Sequence, residues 1–446
     1  MKKLLIANRG EIAVRIIRTA REMGIQTVAV HSEVDADCMH VALADESVCI
    51  GGNRATQSYL NIVSLLSACE VTGADAVHPG FGFLSERADF ADVVAKCGLT
   101  FVGPTADSMR KMGSKVEARR IAEDAGVPLL KGTGVLESVE EAKKAAEKIG
   151  YPVLIKASHG GGGRGMRVVQ QPSEMEQTFH SARSESQTAF GSSEVFIEKF
   201  VEKPRHIEIQ LIADKHGNVV HLGERECSLQ RRHQKVIEEA LSPVMTAKVR
   251  EKMGKAACDL ARSVDYVGLG TVEFLVDDDL NFFFMEMNTR IQVEHPVTEE
   301  VTGLDLVREQ INVALGKKLS FKQEDVKFEG HAIECRINAE DPTSFIPCPG
   351  LIETYRPPGG RRVRLDSYVY EGYRVPPFYD SMMGKLIAWG KTREEARITL
   401  LRALREFKIT GIKTNIPLHI RILSHPDFVK ANCYTKWIEQ DLLRKG

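Results

Sequence analysis

A chain of 446 residues with 60 Lys plus Arg against 61 Asp plus Glu has no bulk attraction for nucleic acid or for an anionic membrane surface, so any anion site on it must be local. That length exceeds what one hydrophobic core organises and calls for two or three packed units of about 100–200 residues each. Its nine cysteines form neither a CxxC pair nor a Cys/His zinc spacing, which argues against a disulfide framework and for reduced thiols in a cytoplasmic protein, and the apolar run at 4–7 is far too short for a signal peptide or membrane span.

From the N-terminus, residues 4–7 read as a strand ahead of a glycine turn at Gly10, after which Ile12, Ala13, Ile16, Ile17 and Ala20 recur at helical spacing. The pattern repeats, with strands predicted at 27–31, 76–78 and 100–103 and a helix at 61–73. This alternation argues for a parallel, doubly wound sheet over about the first 110 residues. Charged helices are predicted at 117–125 and 138–149. Residues 151–157 then form a buried-type strand carrying Lys156, which runs into Ser158-His159-Gly160-Gly161-Gly162-Gly163-Arg164-Gly165 and a second strand at 166–169. The result is a hairpin whose tip has no side chains to fix it, and such a tip can move. From Arg205, His206, Glu208 and Gln210 alternate with Ile207, Ile209 and Leu211 as the two faces of a strand. Residues 271–276 and 281–288, joined by Asp277-Asp278-Asp279, are predicted as an antiparallel hairpin. Beyond them strands such as 386–389 mix with helices such as 393–407.

Three segments carry chemistry. At the glycine tip, bare backbone N–H groups can close around phosphate oxygens, and Lys156 supplies a cation beside them. A glycine run alone is more often a plain flexible loop, by about two to one, but a lysine inside the apolar strand before it reverses that weighting. The stronger signal is Glu286-Met287-Asn288-Thr289-Arg290-Ile291-Gln292-Val293-Glu294-His295-Pro296. If this segment is extended, Glu286, Asn288, Arg290, Gln292 and Glu294 share one face while Met287, Ile291 and Val293 turn to the core. Glu286 and Asn288, joined by Glu273 on the neighbouring strand, suit a hard cation such as magnesium or manganese bridging nucleotide phosphates, with Arg290 holding an anion beside it. A solvated charged face is the usual alternative, by about two to one; the absence of lysine and the Asn between two acids oppose it.

The third segment, 226–235, places Arg231, Arg232, His233 and Lys235 within five residues. They can bind a small anion such as bicarbonate, and an exposed basic turn weighs equally. Residues 384–392 imitate a Walker A loop, but five residues rather than four separate Gly384 from Gly390 and the intervening run is an apolar strand, so no P-loop is expected. A dinucleotide fingerprint at Gly10 also fails, for want of the later glycines.

Together these segments resemble the biotin carboxylase family of the ATP-grasp superfamily, from Ile6-Ala7-Asn8-Arg9-Gly10-Glu11-Ile12-Ala13 to Gly411-Ile412-Lys413-Thr414-Asn415. The most specific stretches are His78-Pro79-Gly80-Phe81-Gly82-Phe83-Leu84-Ser85-Glu86, the glycine tip, 230–235 and 286–296. The resemblance implies an α/β and α+β multidomain ATP-grasp fold: an N-terminal Rossmann-like domain at 1–112, a helical linker and mobile glycine-rich lid at 113–202, an ATP-grasp body at 203–330 and a C-terminal mixed domain at 331–446. It implies ATP binding by Lys115, Lys156, Gly161, Gly162, Gly163, Gly165, Glu198, Lys199, Val201, His206, Gln230, His233, Glu273 and Glu286. Glu273, Glu286 and Asn288 would hold Mg2+ or Mn2+, and Lys235, Arg290, Gln292 and Val293 would bind bicarbonate. Glu294 would be the base, acting with Lys235, Arg290 and Arg336. Arg336 would meet the ureido oxygen of biotin near Phe81, an aromatic position where tyrosine is also found.

The implied reaction is ATP-dependent carboxylation of carrier-bound biotin through carboxyphosphate, the first half-reaction of acetyl-CoA carboxylase in fatty-acid synthesis. No Met-Lys-Met-type attachment site occurs in the chain. The biotin carboxyl carrier protein and the carboxyltransferase are therefore expected as other chains, alongside a homodimer with no nucleic-acid or membrane partner. Propionyl-CoA, methylcrotonyl-CoA or pyruvate as final acceptor would leave the same residues. Carbamoyl phosphate synthetases and purine-pathway ligases share the tip and the Glu-x-Asn motif, but have no use for the 292–296 extension or the Arg336 region. A silent nucleotide-binding regulator is opposed by intact Arg290 and Glu294. His159 departs from the small residue of many relatives and is read as pointing to solvent.

Overall fold

The computed structural model describes residues 1–158 and 166–443. In the N-terminal part the apolar runs become five parallel strands, β1 (Lys3–Ile6), β2 (Gln26–His31), β3 (Glu46–Cys49), β4 (Ala76–His78) and β5 (Thr100–Phe101), in the order β3-β2-β1-β4-β5. Leu4, Leu5 and Ile6 are fully buried because helices cover both faces, which is why the strand reads as an unbroken apolar run. The predicted helix at 61–73 is Ile62–Thr72, capped by the Asn61 side chain on Ser64 N and closed by Gly73 at φ 65°. β3 escaped the sequence reading because this edge strand buries little and shows no apolar alternation.

A small antiparallel sheet follows, β6 (Val153–Ala157), β7 (Arg167–Val169) and β8 (Val195–Lys199), in the order β7-β6-β8. Its apolar face, with Val153, Ile155, Val169, Val195 and Ile197, packs on Ala142, Ala146 and Phe179 of the helices Val139–Ile149 and Met175–Phe190. The hairpin is as expected. Its tip, including His159, Gly161, Gly162, Gly163 and Gly165, lies outside the described residues.

The centre of the molecule is an antiparallel sheet of eight strands ordered β13-β12-β9-β10-β11-β14-β19-β17. The strands are β9 (Arg205–Ala213), β10 (Val219–Arg231), β11 (Gln234–Ala240), β12 (Gly268–Val276), β13 (Phe282–Asn288), β14 (His331–Asn338), β17 (Val363–Ser367) and β19 (Met382–Gly390). Two small pairs, β15 (Gly350–Leu351) with β18 (Arg374–Val375) and β16 (Thr354–Arg356) with β20 (Lys408–Thr410), flank it. On β9, Ile207, Ile209 and Leu211 pack against Met253, Ala257 and Leu260 of the helix Ala247–Ser263, leaving Glu208 and Gln210 to the opposite face. Among the described residues no helix is long and apolar enough to cross a membrane.

Two expectations change. The extended segment ends at Asn288, and residues 289–294 are a turn that leads into the helix His295–Thr302, with Glu294 at its N-cap and Pro296 in its first turn. Proline at a helix start fixes φ and fits this reversal, so period two cannot continue past Asn288. Val293, expected toward the core, is only half-buried. The rejected P-loop is strand β19, with Lys385 fully buried in it.

Ile209→Ala removes apolar volume directly behind the acidic face of β9 and should cost about 2–5 kcal/mol, read as a lowered urea midpoint with unchanged slope.

Candidate active site

A cavity of about 840 Å³ opens between the three-stranded unit and the large sheet, reaching the turn after β1 and the start of the helix Gly10–Glu22 at Asn8 to Ile12. One wall is Lys115, Arg119, Lys156, Phe196 and Glu198; the floor is His206, Gln230, His233, Lys235, Glu273, Glu286, Asn288, Arg290, Gln292, Val293 and Arg336; Phe81, Phe83, Phe378 and Tyr379 close the far end. Asn8 shapes that end by donating from Nδ2 to the Pro79 and Phe81 carbonyls at 2.7 Å each.

Lys235 sits at the centre. The basic run around it folds as a tight turn, with Arg232 and His233 at φ 48° and 64° between the paired ends of β10 and β11. The run is thereby split: Arg231 stacks over Phe345 at 3.6 Å, whereas His233 and Lys235 line the cavity and Lys235 reaches the buried acids. Its Nζ donates to Glu208 Oε2 at 2.6 Å, Glu273 Oε1 at 3.0 Å and Glu294 Oε1 at 2.6 Å, and the side chain is 12% exposed. Burial alone would lower its pKa, but the three carboxylates override burial and hold it well above the usual lysine range. Glu294, fully buried, is held well below the carboxylate range: burial opposes ionisation, and Lys235, Arg336 and Arg225 overcome it.

The remaining groups order themselves around this cation. Asn288 Nδ2 and Gln292 Nε2 donate to Glu273 Oε1 at 2.9 and 3.1 Å. Arg290 donates to Asn288 Oδ1 at 3.0 Å, to Gln292 Oε1 at 2.7 Å and to Glu86 at 3.0 Å. His206 lies 3.1 Å from Glu273 and 2.8 Å from Gln230 Nε2. Burial alone would lower the His206 pKa, but Glu273 and Glu208 together outweigh it and shift the ring toward the charged form. Arg336 Nε donates to Glu238 Oε1 at 2.6 Å and Nη2 to Glu294 Oε2 at 3.0 Å. Lys156 and Arg119 share Glu198.

Glu273 and Glu286 are cross-strand partners on β12 and β13, and a bulge that skips Met285 leaves both beside the cavity. Enclosure and the neighbouring Glu273 raise the Glu286 pKa, a like-charge conflict that a divalent cation relieves. Two carboxylates and the Asn288 amide oxygen form an all-oxygen donor set that fits Mg2+ or Mn2+.

The turn at 289–294 thus achieves what an extended strand was expected to do, bringing Asn288, Arg290, Gln292 and Glu294 to one place. Lys199 and Val201 do not line the cavity; Lys199 Nζ instead donates to the Gly150 and Tyr151 carbonyls at 3.0 Å each. Sequence reading missed Glu86, Arg119, Arg225, Glu238 and Lys385. Glu86 accepts from Thr289 N at 2.9 Å and so fixes the turn. Arg225, fully buried, ties Glu208 to Gln210 and Thr298. Lys385 Nζ donates to the Val293 carbonyl at 2.9 Å and pairs with Glu11 at 3.1 Å. Of these only Lys385 carried a signal, being a cation in an otherwise apolar strand.

A cavity lined by Lys115, Lys156, Lys235 and the paired acids Glu273 and Glu286 on an antiparallel sheet is that of an ATP-dependent ligase of the ATP-grasp type. Three family models match in chain order: biotin carboxylase, N-terminal domain at 1–109; carbamoyl-phosphate synthase L chain, ATP binding domain at 114–322; and biotin carboxylase C-terminal domain at 334–440. The chain is 56% identical over 442 residues to biotin carboxylase 1 of Bacillus subtilis (strain 168), covering 98% of both. It superposes on the biotin carboxylase of Campylobacter jejuni, a β-γ-ATP complex, with a TM-score of 0.93 at 48% identity and 98% coverage of both chains. The biotin carboxylase domain dimer of Hydrogenobacter thermophilus 2-oxoglutarate carboxylase, solved with MgADP, ADP and bicarbonate, gives 0.92 at 46% identity over 98% of this chain and 97% of that one. The chain belongs to the biotin carboxylase family.

Lys235→Met leaves Glu208, Glu273 and Glu294 around no cation. Unfolding free energy should fall by about 3–5 kcal/mol, measured by urea titration.

Proposed function

We propose that this chain performs the first half-reaction of acetyl-CoA carboxylase: it carboxylates biotin on a separate carrier protein, at the expense of ATP and bicarbonate, and works as a cytoplasmic homodimer beside a carboxyltransferase. The observation that carries this reading is Glu294, one buried carboxylate held from one side by Lys235 and from the other by Arg336. A base placed between an anion-binding lysine and an oxyanion-binding arginine suits two consecutive steps in one site.

Bicarbonate lies in the pocket of Lys235, Arg290, Gln292 and Val293. An anion that takes over part of Lys235 relieves its hold on Glu294 and restores the basicity of the carboxylate. Glu294 removes the bicarbonate proton, and the freed oxygen attacks the γ-phosphoryl group to give carboxyphosphate and ADP. Lys115, Lys156 and His206 neutralise phosphate charge, while Glu198, Gln230 and His233 line the nucleotide region. Glu273, Glu286 and Asn288 would hold Mg2+ or Mn2+, which when bound neutralises charge on the β- and γ-phosphates. Carboxyphosphate releases carbon dioxide and phosphate, and phosphate takes the proton from the biotin ring nitrogen. The negative charge this builds on the ureido oxygen meets Arg336, with Phe81 beside it, and the ring nitrogen attacks carbon dioxide to form carboxybiotin. The unbridged cysteines support the cytoplasmic setting, and the H. thermophilus dimer supports the homodimer.

The purified chain should hydrolyse ATP with bicarbonate, and free biotin should accelerate this. Stimulation by glutamine or another amino acid instead of biotin would overturn the reading. Glu294→Gln should lose about 10²–10⁴-fold in biotin-dependent turnover while binding ATP normally by calorimetry. Reconstitution with carrier and carboxyltransferase should favour acetyl-CoA over propionyl-CoA, and the reverse preference would reassign the complex.

A further inference from the structure

Behind the cavity wall stands a carboxylate that the proposed mechanism does not use. Glu238, on β11, is fully buried and absent from the cavity lining, yet its Oε1 accepts from Arg336 Nε at 2.6 Å, the shortest of the arginine's two contacts with carboxylates. Its register partner on β14 is Glu334, and Arg336 lies two residues along the same strand, so all three side chains share one face of the sheet. Glu238 Oε2 has no hydrogen-bond partner, nor has either oxygen of Glu334. Arg336, itself in the cavity lining, therefore has two fully buried acceptors outside that lining, Glu294 from the turn and Glu238 from β11. Among the described residues its Nη1 donates to nothing, which leaves that nitrogen for a ligand oxygen.

The two acceptors differ in what the reaction does to them. Glu294 becomes neutral on taking the bicarbonate proton, and a neutral carboxyl loses most of its hold on a guanidinium. That is the interval in which biotin must react. We propose that Glu238 is the positioning residue for Arg336: it keeps the guanidinium fixed on the cavity wall through the biotin step, after Glu294 has been protonated. The inference rests on the reading of Glu294 as base and Arg336 as the ureido contact.

The surroundings of Glu238 agree. It faces Lys235 along its own strand, Cys227 from β10, Glu334, Cys335 and Arg336 from β14, and Glu294 from the turn. Burial, and then the charge of Glu294, push its pKa up to about 7 against the pull of Arg336 and Lys235. Protonation of Glu294 removes one of the charges that raise it, so Glu238 is more firmly ionised when its hold is needed.

The test is Glu238→Gln in the full chain, assayed for ATP hydrolysis with bicarbonate alone and with added free biotin. The biotin-dependent rate should fall about 10- to 100-fold, with the biotin-independent rate within about twofold of wild type. The ratio of the two rates should rise with pH in the wild type as Glu238 ionises, with its midpoint below about 7, and stay flat in the variant. In an Arg336→Gln background the second substitution should change biotin-dependent turnover by less than about twofold, since Glu238 acts only through the arginine. Additive losses, an equal fall of both rates, or no loss of the biotin-dependent rate would each overturn the proposal. If Glu238→Gln fails to fold, Glu238→Asp, which keeps the charge but shortens the reach, should show the same selective loss. If Arg336→Gln alone leaves biotin-dependent turnover intact, the ureido assignment itself fails, a result distinct from any of these.

Discussion

The site hangs on a single buried ammonium. Lys235 is the only cation that touches Glu208, Glu273 and Glu294 together among the described residues, and these come from β9, β12 and the turn after β13. A carboxylate taken out of water without a partner is costly enough that it either protonates or unfolds its surroundings. The register of four chain segments is therefore tied to where one side chain of β11 ends. Arg225 and Arg336 extend the arrangement, so that three cations face Glu208, Glu273, Glu294 and Glu238. The acid left over shows the raised pKa, and it is Glu238.

Charge alone does not place the turn at 289–294. Glu86 pins it from the loop after β4, and Lys385 pins it from β19 by gripping the Val293 carbonyl while pairing with Glu11 in the first turn of the helix Gly10–Glu22. Material from two distant parts of the sequence thus meets on six residues, an exposed Glu86 on one side and a fully buried Lys385 on the other. Such contacts are short in reach and strict in direction, which suits a segment that presents Arg290 and Gln292 to a cavity.

Much of this was legible in the residues themselves. The βα alternation, the hairpin around the glycine tip and the β12–β13 pairing follow from periodicity and turn chemistry, and the structure repeats them nearly to the residue. The polar convergence of Glu286 to Glu294 was legible too, but its cause was not: periodicity assigned it to an extended strand, whereas Pro296 and the helix after it force a turn. Period-two logic sees alternation and cannot see that alternate residues of a turn are gathered by partners far away in sequence, here Glu86 and Glu273. The basic run at 231–235 was unreadable for a related reason, since only the turn at Arg232 and His233 separates Lys235 from its neighbours. Glu238 carries no sequence signal, being one acid beside another in a strand, and its meaning comes wholly from register with β14.

The pairing of β11 with β14 has a wider consequence. Family boundaries fall between 322 and 334, yet Ile237 to Ala240 are paired with Ala332 to Cys335 inside one continuous sheet. A gene cut at that junction would part neighbouring strands and bare two long edges, each a template for aggregation. The place where evolution's modules meet is not a place where this molecule can be taken apart.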